Sequence, residues 1–184
     1  MKEIASLNNA VVKAVAELKQ KKYRERANSF VVEGLRAVEE AVKYADVRSI
    51  FAVPEKENTR MSQILADAED KGIDLYAVTE AVMRKISDTE VPQGILAVCT
   101  KPQGIIVRSG DILVLDRVAD PGNAGTLIRA AEAAGMAGVI LLAGCADAYA
   151  PKTVRSTMGS LLRVPVITGM TEDDFIEWCR KSGY

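Results

Sequence analysis

Apolar residues recur along this chain with two alternating periods. Leu7, Val11, Val15 and Leu18 share one helical face, so the spacing predicts an opening amphipathic helix. Ser29-Phe30-Val31-Val32-Glu33 reads as a strand broken by Gly34, and Leu35 to Tyr44 as a helix. Val47 to Val53 is the next expected strand, ended by Pro54, and Met61 to Lys71 a helix closed by Gly72. Ile73 to Val78 is a strand, Thr79 caps a short helix, and Gly94 to Cys99 is one more strand. Lys101-Pro102-Gln103-Gly104 has the composition of a boundary. A second alternation follows: a strand at Asp111 to Leu115, a helix from Asn123 to Ala134 with Gly135 past its end, and a strand at Gly138 to Leu142. Next come a helix from Pro151 to Leu161, a strand at Val164 to Ile167, and a helix from Thr171 to about Lys181 ended by Gly183. The pattern calls for a further strand where the sequence stops at Tyr184. Strands alternating with helices predict mainly parallel α/β sheets. The expected organisation is a first domain over 1–100, a linker over 101–110 and a second domain over 111–184.

Composition changes this picture little. Of the 184 residues, 48% are apolar and 27% charged, the balance of a soluble globular protein. No apolar run approaches the roughly 20 residues of a membrane span, and no signal-peptide core follows Met1. A cytoplasmic protein without membrane contact is expected. Cys99, Cys145 and Cys179 are odd in number and far apart, which predicts buried thiols rather than disulfides or a metal site. The absence of histidine excludes a Ser-His-Asp triad, a Cys-His pair and a histidine-ligated metal. A net charge of −1 does not by itself point to nucleic acid.

Local charge does more. Lys19, Lys21, Lys22, Arg24 and Arg26 cluster at the end of the first helical region, with Tyr23 inside and Glu25 alone opposing. Such a cluster can meet phosphates, and an aromatic ring within it can stack on a base; the same composition also describes a solvated helix end. In the second half, Leu115 to Arg129 runs from strand through turn to helix, at the strand end where open α/β sheets place ligands. Asp120-Pro121-Gly122 is turn chemistry, and Asn123 is the expected N-cap. Gly125 costs about 1 kcal/mol relative to alanine inside a helix. With Arg129 four residues on, it predicts an opening for a ligand beside a guanidinium, a setting for phosphate or another anion. A capped helix with a small packing residue and a surface arginine fits the same residues. Neither a P-loop nor a GxGxxG fingerprint is present.

Asn123-x-Gly125-x-x-x-Arg129, with the apolar strand and Asp120-Pro121-Gly122 before it and Ala130 to Gly135 after it, resembles motif 1 of the SpoU family of SPOUT RNA ribose 2′-O-methyltransferases. Pro151 to Gly159 and then Leu162 to Val166 resemble that family's later helix and strand. Lys21 to Arg26 followed by Phe30 to Gly34 resembles its N-terminal substrate-binding domain. The resemblance implies a small α/β/α sandwich of ribosomal-protein type, followed by the first half of a Rossmann-like SPOUT α/β domain. It implies transfer of a methyl group from S-adenosylmethionine to a ribose 2′-hydroxyl of ribosomal or transfer RNA, by a homodimer in the full-length form. Arg129 would stabilise the developing alkoxide and grip the adjacent phosphate rather than act as a base, since arginine is a poor proton acceptor. Asn123 would hold the pocket in shape. Lys21, Lys22, Tyr23, Arg24, Arg26, Glu33, Arg36, Lys152 and Arg155 are the expected RNA contacts. The family's cofactor loops and knot follow the segments matched here, so the cofactor site is expected beyond Tyr184 and this polypeptide is expected to be incomplete and inactive alone. Two other classes fit the bare residues: a non-catalytic RNA-binding module, and a small-molecule α/β protein using the Asn123–Arg129 region for an anion.

Overall fold

The computed structural model describes residues 1–103 and 110–183, which form two compact units, Met1–Pro102 and Gln103–Tyr184. The expected linker over 101–110 lies largely outside the described residues.

Unit 1 holds β1 (Lys2–Ile4), α1 (Ala10–Glu17), α2 (Lys21–Ala27), β2 (Ser29–Glu33), α3 (Leu35–Tyr44), β3 (Val47–Ala52), α4 (Thr59–Asp70), β4 (Asp74–Val78), α5 (Glu80–Ile86) and β5 (Ile95–Thr100). The strands lie in the order β1-β4-β3-β5-β2. β1, β4 and β3 are parallel, and β5 runs antiparallel to both β3 and β2. Four of the five strands therefore run the same way, as the alternation predicts, but β5 is reversed beside the edge strand β2, so two of the four pairings are antiparallel.

β2 and β5 are buried along nearly their whole length, which requires cover on both faces. On one face Phe51, Val31, Leu96 and Val98 pack with Val12, Val15 and Leu18 of the α1 region and with Val82, Met83 and Ile86 of α5. On the other lie α3 and α4, burying Val38, Ala41 and Val42, and Met61, Ile64, Leu65 and Ala68. The result is the expected three-layer α/β/α sandwich.

Two expectations at the amino end need correction. The chain opens with β1, not a helix, because pairing with β4 recruits Lys2-Glu3-Ile4 from a distance. The buried face of α1 is Val12, Val15 and Leu18, while Leu7 and Val11 stay exposed. Asn9 explains the later start: its side chain accepts from the Val11 N–H at 2.8 Å and caps α1 there, so Leu7 precedes the helix.

Unit 2 holds β6 (Ile112–Leu115), α6 (Pro121–Ala133), β7 (Gly138–Leu142), α7 (Pro151–Ser156), β8 (Val166–Met170) and α8 (Glu172–Ser182). The three strands pair in parallel in the order β6-β7-β8, with β7 buried throughout. α7 is shorter than its spacing predicts. Met158 and Gly159 both take positive φ, ending the helix, and a 3₁₀ turn at Ser160–Leu162 leads on to β8. β8 consequently begins at Val166 rather than Val164. Thr171 and Asp174 form a reciprocal capping box at the start of α8, and Gly183 closes it in the left-handed conformation.

Candidate active site and nucleic-acid interface

The strand–turn–helix singled out above is β6, its turn and α6. Pro121 takes the first helical position, so the cap is the residue before it: the Asp120 carboxylate accepts from the Asn123 N–H at 2.8 Å. Asn123 is thus not the N-cap. It stands in the first turn of α6, exposed, and among the described residues its side chain makes no hydrogen bond.

Gly125 is also not an opening. A Cβ there would lie 2.5 Å from Ser156 Cβ and 2.9 Å from the Thr153 carbonyl oxygen of α7. The missing side chain admits a second helix, not a ligand. One turn further, Arg129 is exposed and makes no hydrogen bond or ion pair among the described residues.

Three residues later α6 is held again. The Glu132 carboxylate accepts from Ser160 Oγ at 2.9 Å and from Arg163 at 2.8 and 3.2 Å. The Arg163 hydrogen bond is the main reason that its pKa lies below the ordinary glutamate range. Gly125 and Glu132 bracket Arg129, fixing the helix on both sides of a side chain left unengaged. Nothing in the spacing of Glu132, Ser160 and Arg163 announces this clamp.

At the carboxyl edge of the same sheet, Arg117 takes φ 51°, rare for a side-chain-bearing residue. Its guanidinium pairs with Asp116 at 3.2 Å and with Glu172 at 2.8 Å, and its stem packs against Gly144 in the loop after β7. The Ala146 N–H donates to the Val118 carbonyl at 2.9 Å, and Cys145 Sγ donates to the Leu115 carbonyl at 3.1 Å. These bonds tie the β6 and β7 loops to each other. Asp120 and Arg117 escape a motif search built on Asn123 and Arg129. Asp120 was legible all the same, since an aspartate directly before a proline at a helix start is a capping signal.

On α7, Lys152 is exposed and Arg155 half-buried.

In unit 1 the basic cluster divides. Arg24 is 3% exposed, and its Nη1 donates to the Leu18 and Lys19 carbonyls at 2.7 and 2.8 Å. Those are carbonyls left over where α1 stops, so Arg24 is a structural cap and not a phosphate contact. Lys19 Nζ donates to the Lys85 carbonyl at 2.9 Å. Lys21 pairs with Glu25 at 3.7 Å, and Lys22 lies 4.6 Å from the centre of the Tyr23 ring. Lys21, Lys22 and Arg26 face solvent, and Tyr23 is half-buried.

Glu33, expected as an RNA contact, instead accepts from Ser87 Oγ at 2.5 Å and from the Asp88 N–H at 3.2 Å, so it orders the chain after α5. Arg36, in the first turn of α3, is exposed and makes no hydrogen bond or ion pair among the described residues.

Comparison with known proteins follows the same division. Residues 9–97 match the MRM3-like substrate binding domain, and residues 111–184 match the SpoU rRNA Methylase family. The chain is 40% identical over 167 residues to the 23S rRNA (guanosine(2553)-2'-O)-methyltransferase RlmP of Bacillus subtilis, spanning 91% of this chain and 65% of that protein. It is 31% identical to human mitochondrial rRNA methyltransferase 3, spanning 83% of this chain and 38% of that one. An rRNA methyltransferase from Sinorhizobium meliloti superposes with a TM-score of 0.83 at 35% identity, over 97% of this chain and 69% of that one. The AdoMet complex of the SpoU methyltransferase AviRb from Streptomyces viridochromogenes superposes with a TM-score of 0.87 at 26% identity, over 96% and 69%. The fold is thus that of RNA methyltransferases. The chain belongs to the SpoU rRNA methylase family, and spans about two thirds or less of its matched relatives.

Proposed function

We propose that this chain serves the methylation of a ribose 2′-hydroxyl in ribosomal RNA, with unit 1 holding the RNA and unit 2 carrying the group that acts on the hydroxyl. The observation that carries the reading is Arg129: an exposed guanidinium without a partner among the described residues, on a helix held firmly at Gly125 and Glu132. A cation so placed costs little reorganisation when negative charge develops on the attacking oxygen. Its planar fork also suits the neighbouring phosphate. Asn123, exposed in the first turn of the same helix, supplies an amide that can orient the ribose or the phosphate. S-adenosylmethionine supplies the methyl group as a sulfonium, already electrophilic, which leaves orientation and deprotonation of the hydroxyl to the protein. The Ala146 N–H and the Cys145 thiol that join the β6 and β7 loops are engaged with the Val118 and Leu115 carbonyls.

Lys21, Lys22, Arg26 and Arg36 of unit 1, and Lys152 and Arg155 of unit 2, are the proposed phosphate contacts, with Tyr23 as a stacking surface. They give affinity rather than sequence choice. Among the described residues no helix is long and apolar enough to cross a membrane. A cytoplasmic location and a homodimeric enzyme complete the proposal.

The test is methyl transfer from radiolabelled S-adenosylmethionine to ribosomal RNA by the enzyme containing this sequence. Arg129→Lys is expected to lose at least a hundredfold in kcat with RNA affinity within about twofold, because lysine keeps the charge but not the fork. Turnover near that of the parent would remove Arg129 from the reaction.

A further inference from the structure

The three parallel strands of unit 2 end on one side, β6 at Leu115, β7 at Leu142 and β8 at Met170. One side chain bridges the outer two. Arg117, just past β6, donates from Nη2 to Glu172, just past β8, at 2.8 Å. On the way its stem passes Gly144, just past the central strand, where a Cβ would lie 3.4 Å from Arg117 Cγ. The guanidinium is thus laid across the carboxyl edge of the sheet, the edge at which open α/β folds place their ligands.

The backbone beneath that side chain is strained. Three non-glycine residues have positive φ among the described residues: Asn28, Arg117 and Met158. Asn28 and Met158 do so where α2 and α7 end, but Arg117 stands at no helix end. A glycine or an asparagine would adopt φ 51° with less strain. Stability does not explain the arginine either. The side chains of Arg117 and Glu172 are 71% and 66% exposed, and so open an ion pair contributes little to folding. Strain kept without a gain in stability points to function.

The chain that follows shows what the bridge holds. The Val118 carbonyl accepts from the Ala146 N–H at 2.9 Å, and the Asp120 carboxylate caps α6 at the Asn123 N–H. Gly125 and Glu132 fix α6 from its second turn onward, against α7 and the turn after it. The Arg117 bridge fixes the segment that leads into its first turn. A direct phosphate contact by Arg117 fits less well, because Asp116 and Glu172 already engage the guanidinium and Asp173 follows them in sequence.

We propose that Arg117 is a positioning residue for the methyl transfer: its bridge to Glu172 holds the turn from β6 to α6 in the path that presents Asn123 and Arg129 to the ribose. The inference rests on the function proposed above and adds to it a residue that touches neither RNA nor the methyl donor.

Two variants break the bridge from opposite ends. Arg117→Gly also relieves the backbone, whereas Glu172→Gln leaves it strained. Single-turnover methyl transfer at saturating ribosomal RNA is measured with the enzyme containing this sequence, and RNA affinity separately. Each variant is expected to lose about tenfold in rate, through a small misplacement of the reacting groups. RNA affinity should stay within about twofold, and the thermal melt should not move. The double variant should lose no more than either single one, since both remove the same contact. Arg117→Lys, which keeps the charge, should recover part of the rate. Apart from the reaction, amide hydrogen exchange of the 184-residue chain should show the Ala146 and Asn123 N–H groups exchanging faster in both single variants. Parent rates in both variants would overturn the positioning role while leaving the proposed function in place, and so would losses that simply add. Slower transfer with unchanged amide exchange, or a loss of RNA affinity confined to Arg117→Gly, would make Arg117 a direct contact and overturn the role as well. No methyl transfer by the parent would overturn the proposed function and this role together.

Discussion

Replacing Gly125 with alanine separates two opposed effects whose sizes the structure sets. In an isolated helix the change would stabilise by about 1 kcal/mol, because glycine loses more backbone freedom on folding. Here the new Cβ would lie 2.5 Å from Ser156 Cβ and 2.9 Å from the Thr153 carbonyl oxygen. Carbon atoms in contact normally stand about 3.5–4.0 Å apart, so α6 and α7 must move apart by roughly 1 Å. Overfilling a packed contact costs about 1–3 kcal/mol. The upper end applies, since one of the obstructing atoms is backbone and cannot rotate away. Net destabilisation of about 2 kcal/mol is therefore expected. Trp178 is the chain's single tryptophan and lies on α8, so its fluorescence during urea unfolding reports on unit 2 alone. A second substitution sharpens the test. Ser156→Gly removes the nearest obstructing atom, and in the alanine background it should recover about half of the loss, a coupling that independent sites would not show. A Gly125→Ala protein about 1 kcal/mol more stable than its parent, or strictly additive single changes, would refute close packing as the reason for the glycine.

Arg24→Met should cost about 3 kcal/mol in thermal or urea unfolding, because it leaves the Leu18 and Lys19 carbonyls buried without their donor. Lys22→Ala should barely change stability but reduce the salt dependence of RNA binding by about one ion. Glu132 has its pKa lowered by Arg163, so its contribution to stability is present above the unfolded-state pKa and fades as pH falls through the lowered folded value. Glu132→Gln should cost about 1 kcal/mol at pH 7, with the gap to the parent closing in acid, as read from Trp178 unfolding across pH 3 to 7. The Cys99 thiol is buried, with its pKa pushed up to about 12, so at pH 8 a thiol reagent should label Cys145 and Cys179 first and reach Cys99 only on unfolding.

Local pattern carried most of the fold, and failures came where distant parts of the chain decide. The strands from β2 to β8 were legible from their apolar alternation, and Gly72, Gly135 and Gly183 marked helix ends. β1 was not, because Lys2-Glu3-Ile4 has one apolar residue and becomes a strand only by pairing with Tyr76, Ala77 and Val78. The end of α7 was hidden because Met158 enters the left-handed region, which its side chain does not advertise. At the candidate site the special residue types were visible and some of their uses were not. Gly125 read as space, since Ser156 and Thr153 are far along the chain. Arg24 read like Lys22, since only the geometry where α1 ends turns one inward and leaves the other in water.

The reversed strand of unit 1 also bears on how the chain emerges from the ribosome. β5 lies between β3 and β2, pairing Ile50 with Ala97 on one side and Phe30 with Cys99 on the other, yet it is the last strand of its unit to be made. Until residues 95–100 leave the exit tunnel, β2 has no partner strand and β3 lacks one of its two. Leu96, Val98 and Cys99 therefore complete the sheet in one late step, after long loop closures to both neighbouring strands. Such non-local pairing is slow and leaves strand edges open meanwhile. Translation reaches β6 soon afterwards, so the two units are assembled in immediate succession, and a nascent chain stalled before β5 would display two unpaired apolar edges to any holding chaperone.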